Sequence, residues 1–274
     1  MQLFTVDHHR CKRDGLCVAE CPQGVIEIND PDTFPSLTES GEQLCINCGH
    51  CVAVCPHGAF MLATMKPEEC ALVMEETLPS AVQVEHLLKS RRSARAYRDK
   101  SVPREVLAKV IEIAAYAPSG DNSQPVHWTV VEDSKELHRL RALTIDWMRS
   151  MLETMPDSWI TLTMKHFVDS WQRGGDPVLR GAPHLIIAHA DKSVSTSPID
   201  CTIALSYLEL AARSMGLAAC WAGAIQTAAA LYPPVAEALR LPSQHRCFGA
   251  MMMGYPEHRF RRIPLRDYPQ VDWR

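Results

Sequence analysis

Cysteines stand at 45, 48, 51 and 55 in the stretch CINCGHCVAVCPHG. A C-x2-C-x2-C-x3-C-P run of this kind sets three thiolates in one tight loop, where they can hold three irons of a cubane. The fourth cysteine is carried away by the turn to serve a second centre, with Pro56 fixing the chain direction just past it. Gly49 suits a loop that wraps closely around inorganic sulfur. Zinc suits the pattern less well, because its structural sites draw four ligands as two spaced pairs. The earlier stretch CKRDGLCVAEC keeps the same register. Cys11, Cys17 and Cys21 fall on its first, third and fourth positions, and Asp14 fills the second. Asp14 is then an oxygen ligand to iron, a neighbour of a three-iron cluster held by thiolates alone, or a turn residue in an Asp-Gly pair. Its place in the vacant slot favours contact with a cluster, and the three readings stay open.

A second group follows in SRRSARAY, where Arg91, Arg92, Ser93 and Arg95 lie within five residues. Guanidinium forks and a hydroxyl suit a phosphate, although three neighbouring arginines are as common on a solvated face. PSGDNSQP, 118–125, is stiffened by a proline at each end and presents Asn122 and Gln124 to a planar polar heterocycle. Met251, Met252 and Met253 read as core strand residues, and Cys220 as a buried thiol without a redox role. His8 and His9 stand beside the first cysteine cluster and read equally as tuning groups or surface residues. No Gly-x-Gly-x-x-Gly occurs, so nothing points to a separate dinucleotide-binding domain.

These groups need elements to position them. Val106, Leu107, Val110, Ile111, Ala114 and Ala115 form one face of a helix, with Pro103 in its first turn. His127–Val131 reads as a strand, PHLIIAHA (183–190) as a central one, and the run around 248–253 as a buried one. Leu205, Leu208, Ala211, Ala212 and Met215 mark a further helix, which Gly216 terminates. The segment 134–180 is rich in Trp and Met and is helical, interrupted at Pro156. Its residues Trp147, Trp159 and Trp171 are either buried aromatics or parts of a substrate lid or dimer-exchange helix.

The chain has 274 residues, 46% apolar and 22% charged, with a net charge of −4. That fits a soluble protein with a sizeable core and gives no general nucleic-acid surface. MQLFTVDHHR lacks the pattern of a signal peptide, and no stretch is long and apolar enough to cross a bilayer, so a cytoplasmic protein is expected. Eleven cysteines, an odd number without an export signal, argue against a disulfide framework. Composition changes near residue 80, giving an iron-sulfur domain at 1–64, a linker at 65–82 and a second domain at 83–274.

Residues 1 to about 64 resemble a bacterial-type two-cluster ferredoxin module. The resemblance implies one cluster on Cys45, Cys48, Cys51 and Cys21, and another on Cys11, Cys17 and Cys55 beside Asp14. Both would be 4Fe-4S, or 3Fe-4S next to Asp14. Residues 83–274, through RRSAR and PSGDNSQP, resemble the nitroreductase-like FMN oxidoreductases. That likeness implies an α+β fold, a mostly antiparallel sheet flanked by helices, in a homodimer with FMN at its interface. It implies that Arg91, Arg92, Ser93 and Arg95 clamp the phosphate and ribityl chain. Ser119, Asn122 and Gln124 would lie near the flavin, with the backbone around Ala222, Gly223 and Ala224. Arg262 would be a second phosphate contact, with Arg261 competing.

The expected function is electron transfer from an external donor through two clusters to FMN, and on to a small acceptor such as a nitroaromatic, quinone or unsaturated compound. The alternatives are an NAD(P)H-dependent flavin reductase that exports electrons through its clusters, and a carrier serving a protein partner. The donor is ferredoxin or NAD(P)H. No catalytic side chain is singled out.

Overall fold

The computed structural model describes residues 2–155 and 160–274. Its elements fall into two units, Met1–Leu78 with Gly120–Ser123, and Pro79–Ser119 with Gln124–Arg274. In the first unit the order is β1 (Phe4–Val6), α1 (Leu16–Ala19), β2 (Ile26–Glu27), β3 (Ser36–Leu37), α2 (Gly41–Leu44), α3 (His50–Ala53) and β4 (Phe60–Leu62). β1 pairs antiparallel with β4, and β2 with β3. α1 and α3 each open on a glycine at φ +76°, Gly15 and Gly49, a left-handed conformation that a side chain disfavours. The parallel between GLCV and GHCV in the sequence thus becomes the same turn made twice. Phe4, Val25, Ile26, Val52, Phe60 and Leu62 form the core, with Cys17 and Cys51 buried among them.

The second unit holds α4 (Ala81–Ser90), α5 (Arg104–Ala114), β5 (His127–Val131), α6 (Ser134–Thr154), α7 (Thr161–Gln172), β6 (His184–Asp191), α8 (Ser197–Ser214), β7 (Ala218–Trp221), α9 (Gly223–Leu231), α10 (Pro233–Ala238) and β8 (His245–Gly254). The strands form one antiparallel sheet in the order β5-β6-β8-β7. Side chains alternate faces along a strand, and each face of β6 and β8 meets its own core. Leu185, Ile187, Ala250 and Met252 pack with apolar residues of α6, α7, α9 and α10. Ile186, Ala188, Ala190, Met251 and Met253 pack with those of α5 and α8. Helices on both faces explain why these antiparallel strands read as continuous apolar runs rather than alternating ones.

Sequence periodicity anticipates most of this at single-residue scale. Leu107, Val110 and Ala114 of α5 are buried, while Ala115 is exposed and Pro103 sits one place before the helix, at its N-cap. α8 ends at Ser214, and Gly216 follows at φ +75°. Trp147, Met148 and Met164 are buried in α6 and α7. The expectations placed on Pro156 and Trp159 lie outside the described residues. No helix among the described residues is long and apolar enough to cross a membrane.

Candidate active site

β7 is an edge strand, and its outer backbone groups need partners. The arginine segment supplies one: Ala94 N–H donates to Ala219 O at 3.1 Å, with the Ala94 side chain buried. Further on, Arg98 N–H donates to Tyr255 O at 2.9 Å and Glu257 N–H to Ala96 O at 3.1 Å. These bonds lay the chain that leaves β8 alongside residues 96–98. Gly254 permits the approach, since a Cβ there would meet Pro183 Cδ at 2.7 Å and Tyr97 Cδ1 at 3.0 Å. The Tyr97 hydroxyl donates to Ala94 O at 2.9 Å, and burial raises its pKa.

The outcome is a cavity of about 810 Å³ whose wall includes Arg91, Arg92, Arg213, Arg259, Arg261 and Arg262. One acid enters the group: Arg91 Nη1 donates to Oε1 of the buried Glu209 at 2.7 Å. That pair orients one guanidinium, and the excess positive charge of the wall suits an anion bound by forked donors. Arg91, Arg92 and Arg262 were candidates from sequence, and Arg261 lines the cavity equally. Arg259 was visible only as part of the basic run EHRFRR. Arg213 and Glu209 sit on α8, where the helical pattern gives no hint of a shared site.

Arg95 lines a second cavity, of about 310 Å³, with Arg180, Trp147, Met164, Phe167, Trp221 and Gly223. Ala222 N–H donates to Ala250 O at 2.8 Å, and α9 begins at Gly223. The first N–H groups of that helix have no acceptor within it. Burial pushes the Cys220 thiol up, against opposing effects of Arg95 and of a hydrogen bond with Ser93. Ser93 therefore engages a thiol that stays neutral.

The loop 118–125 is divided. Ser119 Oγ accepts from Gln124 N–H at 3.0 Å within the second unit. Gly120–Ser123 belongs to the first unit, where Asn122 Nδ2 donates to the carbonyls of Ile46 at 3.3 Å and Asn47 at 3.1 Å. Asp121, Asn122 and Gln124 have φ of 49°, 51° and 45°, an uncommon run of left-handed non-glycine residues. Ser119, Asn122 and Gln124 line neither cavity.

In the first unit Cys21, Cys45, Cys48 and Cys51 line one space, and Cys11, Asp14, Cys17 and Cys55 another. Cys21 Sγ accepts from Val25 N–H at 3.4 Å and Cys55 Sγ from Ala59 N–H at 3.3 Å. Asp14 Oδ1 accepts from Leu16 N–H at 3.3 Å, in the turn that opens α1, and Oδ2 lies 3.7 Å from His57 Nε2. Burial pushes the Cys17 thiol up to about 11 and the Cys51 thiol up to about 12, so both are neutral in the polypeptide alone.

Among the described residues no group of three or more His, Cys, Asp or Glu could hold a metal ion. This corrects the expectation of two iron-sulfur clusters, whether 4Fe-4S or 3Fe-4S. The two-cluster ferredoxin module of the expected fold class and the relay of electrons through clusters go with it. Residues 9–60 nevertheless match the 4Fe-4S dicluster domain model. The two findings disagree because they concern different properties. The match reflects the cysteine pattern, whereas the geometry concerns ligands gathered on a single ion.

The second unit's layered antiparallel sheet and arginine-walled cavity are those of an FMN-dependent, nitroreductase-like oxidoreductase. Residues 88–255 match the nitroreductase family model, and the chain belongs to that family. It is 28% identical over 174 residues to an iodotyrosine deiodinase of Thermotoga neapolitana, covering 62% of this chain and 87% of the relative. A 4-nitrobenzoate reductase of Nocardioides sp. is 24% identical over 225 residues, covering 72% of this chain and 89% of the relative. A nitroreductase with bound FMN from Bacteroides fragilis superimposes with a TM-score of 0.54 at 27% identity, covering 69% of this chain and 95% of that one.

Proposed function

We propose that the second unit binds FMN and delivers electrons from the reduced flavin to a small organic acceptor, a nitroaromatic, quinone or unsaturated compound. The observation that carries the reading is the convergence of Arg91, Arg92 and Arg262 on one cavity. Arg91 and Arg92, with Arg262 or Arg261, hold the phosphate, and Glu209 keeps Arg91 in place. Arg95, Gly223 and Ala224 line the second cavity, where they position and electrostatically bias a flavin edge, and the buried Ala222 caps the helix that carries Gly223. Ser93 supports that side through Cys220. When bound, FMN supplies hydride or single-electron chemistry, and the protein supplies position and exclusion of water. Ser119, Gln124 and Asn122 contact the flavin in this reading, although the Asn122 amide also donates to Ile46 and Asn47 in the first unit.

The same reading includes NAD(P)H or reduced ferredoxin as donor, the domain limits 1–64, 65–82 and 83–274, and a cytoplasmic setting, which eleven free thiols support. It also includes a homodimer. α4 has no buried residue, and Leu265, Tyr268 and Trp273 are exposed, an apolar surface that a second copy would cover.

The test is FMN reconstitution of wild type, Arg91→Ala, Arg262→Ala and Arg261→Ala, followed by anaerobic addition of NAD(P)H or reduced ferredoxin while flavin absorbance is watched. Loss of one charged phosphate donor should weaken FMN roughly 10- to 100-fold. Failure of wild type to bind FMN, or full retention by Arg91→Ala, would overturn the assignment.

A further inference from the structure

The segment that carries Arg91 and Arg92 is tied down at intervals by its backbone. Ala94 N–H donates to Ala219 O, Arg98 N–H to Tyr255 O, and Val102 N–H to Nε2 of His184 at 2.8 Å. Of these bonds the last alone ends on a side chain. Pro103, next along, disfavours a helical Val102, and α5 begins only at Arg104. Val102 belongs to no strand either, yet it is 2% exposed, so its buried N–H needs an acceptor from elsewhere. His184, the first residue of β6 and also 2% exposed, supplies it. A ring nitrogen that accepts carries no hydrogen, so the neutral ring has its hydrogen on Nδ1, where no partner lies among the described residues. The other tautomer would set two N–H groups against each other. Burial lowers the His184 pKa, and the Glu132 carboxylate opposes this. Glu132 is itself paired with Arg104. Asp99 and Lys100 are exposed on the segment, with Lys100 Nζ 5.0 Å from the Tyr255 ring centroid. Among the described residues α8 and β8 bring no charge that acts on the ring.

We propose that His184 is a positioning residue for the phosphate site: its neutral ring holds the far end of the arginine segment, and protonation of the ring releases that end. The imidazolium has no lone pair on Nε2, so Val102 N–H loses its acceptor and two donors face each other in a buried place. The segment then keeps its bonds at Ala94 and Arg98 without its last anchor, and the guanidinium forks of Arg91 and Arg92 are held less firmly. With a folded-state pKa below the ordinary value, the hold is complete above about pH 6.5 and is lost as pH falls through the lowered value. His184 lines neither cavity and acts only through Val102. The inference rests on the flavin reading above and adds to it a residue and a pH dependence.

The experiment measures FMN dissociation constants from about pH 8 down to about pH 5 for wild type, His184→Gln and His184→Leu. The glutamine amide oxygen accepts a hydrogen bond and takes no proton, whereas leucine offers no acceptor. The FMN phosphate changes charge near about pH 6 in every case, so the signal is the ratio of each variant to wild type. At about pH 8 His184→Gln should match wild type, and His184→Leu should bind FMN about 3- to 10-fold more weakly. Towards about pH 5 wild type should weaken by about 3- to 10-fold relative to His184→Gln. Parallel pH profiles for wild type and His184→Gln would overturn the proposal, as would wild-type affinity in His184→Leu. The imidazole nitrogen NMR spectrum of wild type needs neither variant nor flavin. At neutral pH it should show Nε2 of His184 unprotonated and Nδ1 protonated, and the reverse would overturn the assignment. If wild type takes no FMN, the flavin reading fails separately, and that spectrum with its acid titration still decides whether His184 holds Val102.

Discussion

Cys17 and Cys51 are packed beside Phe4, Val52 and Phe60, so in the first unit the reactive side chains are part of the core. Arg91, Arg92 and Arg262 line the rim of a sheet whose strands β6 and β8 are filled on both faces by other residues. The first unit rests on strands of two or three residues and one-turn helices, too short to be stable without those contacts. In the second unit the chemistry hangs on a core that is complete without it. Altering a reactive residue should therefore disturb structure in one unit and affinity in the other.

Core truncations test this contrast most strongly. Phe60→Ala, at a residue 2% exposed, should destabilise the first unit by about 3–5 kcal/mol. The readout is faster reaction of its cysteines with a thiol reagent while FMN content holds. Leu205→Ala, fully buried between α8 and the sheet, should cost the second unit about 2–5 kcal/mol and lower FMN binding with it. If Leu205→Ala opened the cysteines and Phe60→Ala released FMN, the contrast would fail.

A smaller effect should appear with pH. His189 is buried at the end of β6, its Nδ1 2.9 Å from His245 Nδ1 and its Nε2 3.1 Å from Thr129 Oγ1, with the His127 ring centroid 5.7 Å away. Burial, then the two neighbouring histidines, lowers it from 6.5 to about 4. Between those values the unfolded chain binds the extra proton, so stability is full above about 6.5 and is lost as pH falls towards 4. The slope should be on the order of 1 kcal/mol per pH unit, measured by denaturant unfolding, and His189→Gln should flatten it.

The smallest change expected is at α4. Ser80 N–H donates to Gln83 Oε1 at 2.8 Å and Ser80 Oγ accepts from Gln83 N–H at 3.4 Å, closing a capping box on a helix with no buried residue. Ser80→Ala should lose about 1 kcal/mol, seen as faster amide exchange confined to α4. Unchanged exchange there would mean that a partner surface, rather than the cap, holds the helix.

Much of the scaffold was legible because its signals are short-ranged. The face of α5, the strand at 127–131, the buried runs of β6 and β8 and the stop at Gly216 each follow from neighbours a few residues apart. The cavities were legible only in part. Arg91, Arg92 and Arg262 could be named, but Arg213, Glu209 and Arg180 could not, because periodicity reports which face is buried and not which elements meet. The loop 118–125 shows the same limit. Its composition suggested one polar surface, and its tip, with Asn122, belongs to the first unit while its ends belong to the second.

By itself, then, the sequence determined the cysteine register, the arginine segment and the two-faced strands, since each is written in local spacing and the preferences of the backbone. Strand order is a non-local property, and the tertiary structure alone decided it. With β7 at the sheet edge, its open backbone groups take up Ala94, and the chain after β8 runs beside Ala96 and Arg98. Those pairings bring arginines from opposite ends of the unit onto one cavity. The requirement that exposed strand edges find hydrogen-bond partners built the site.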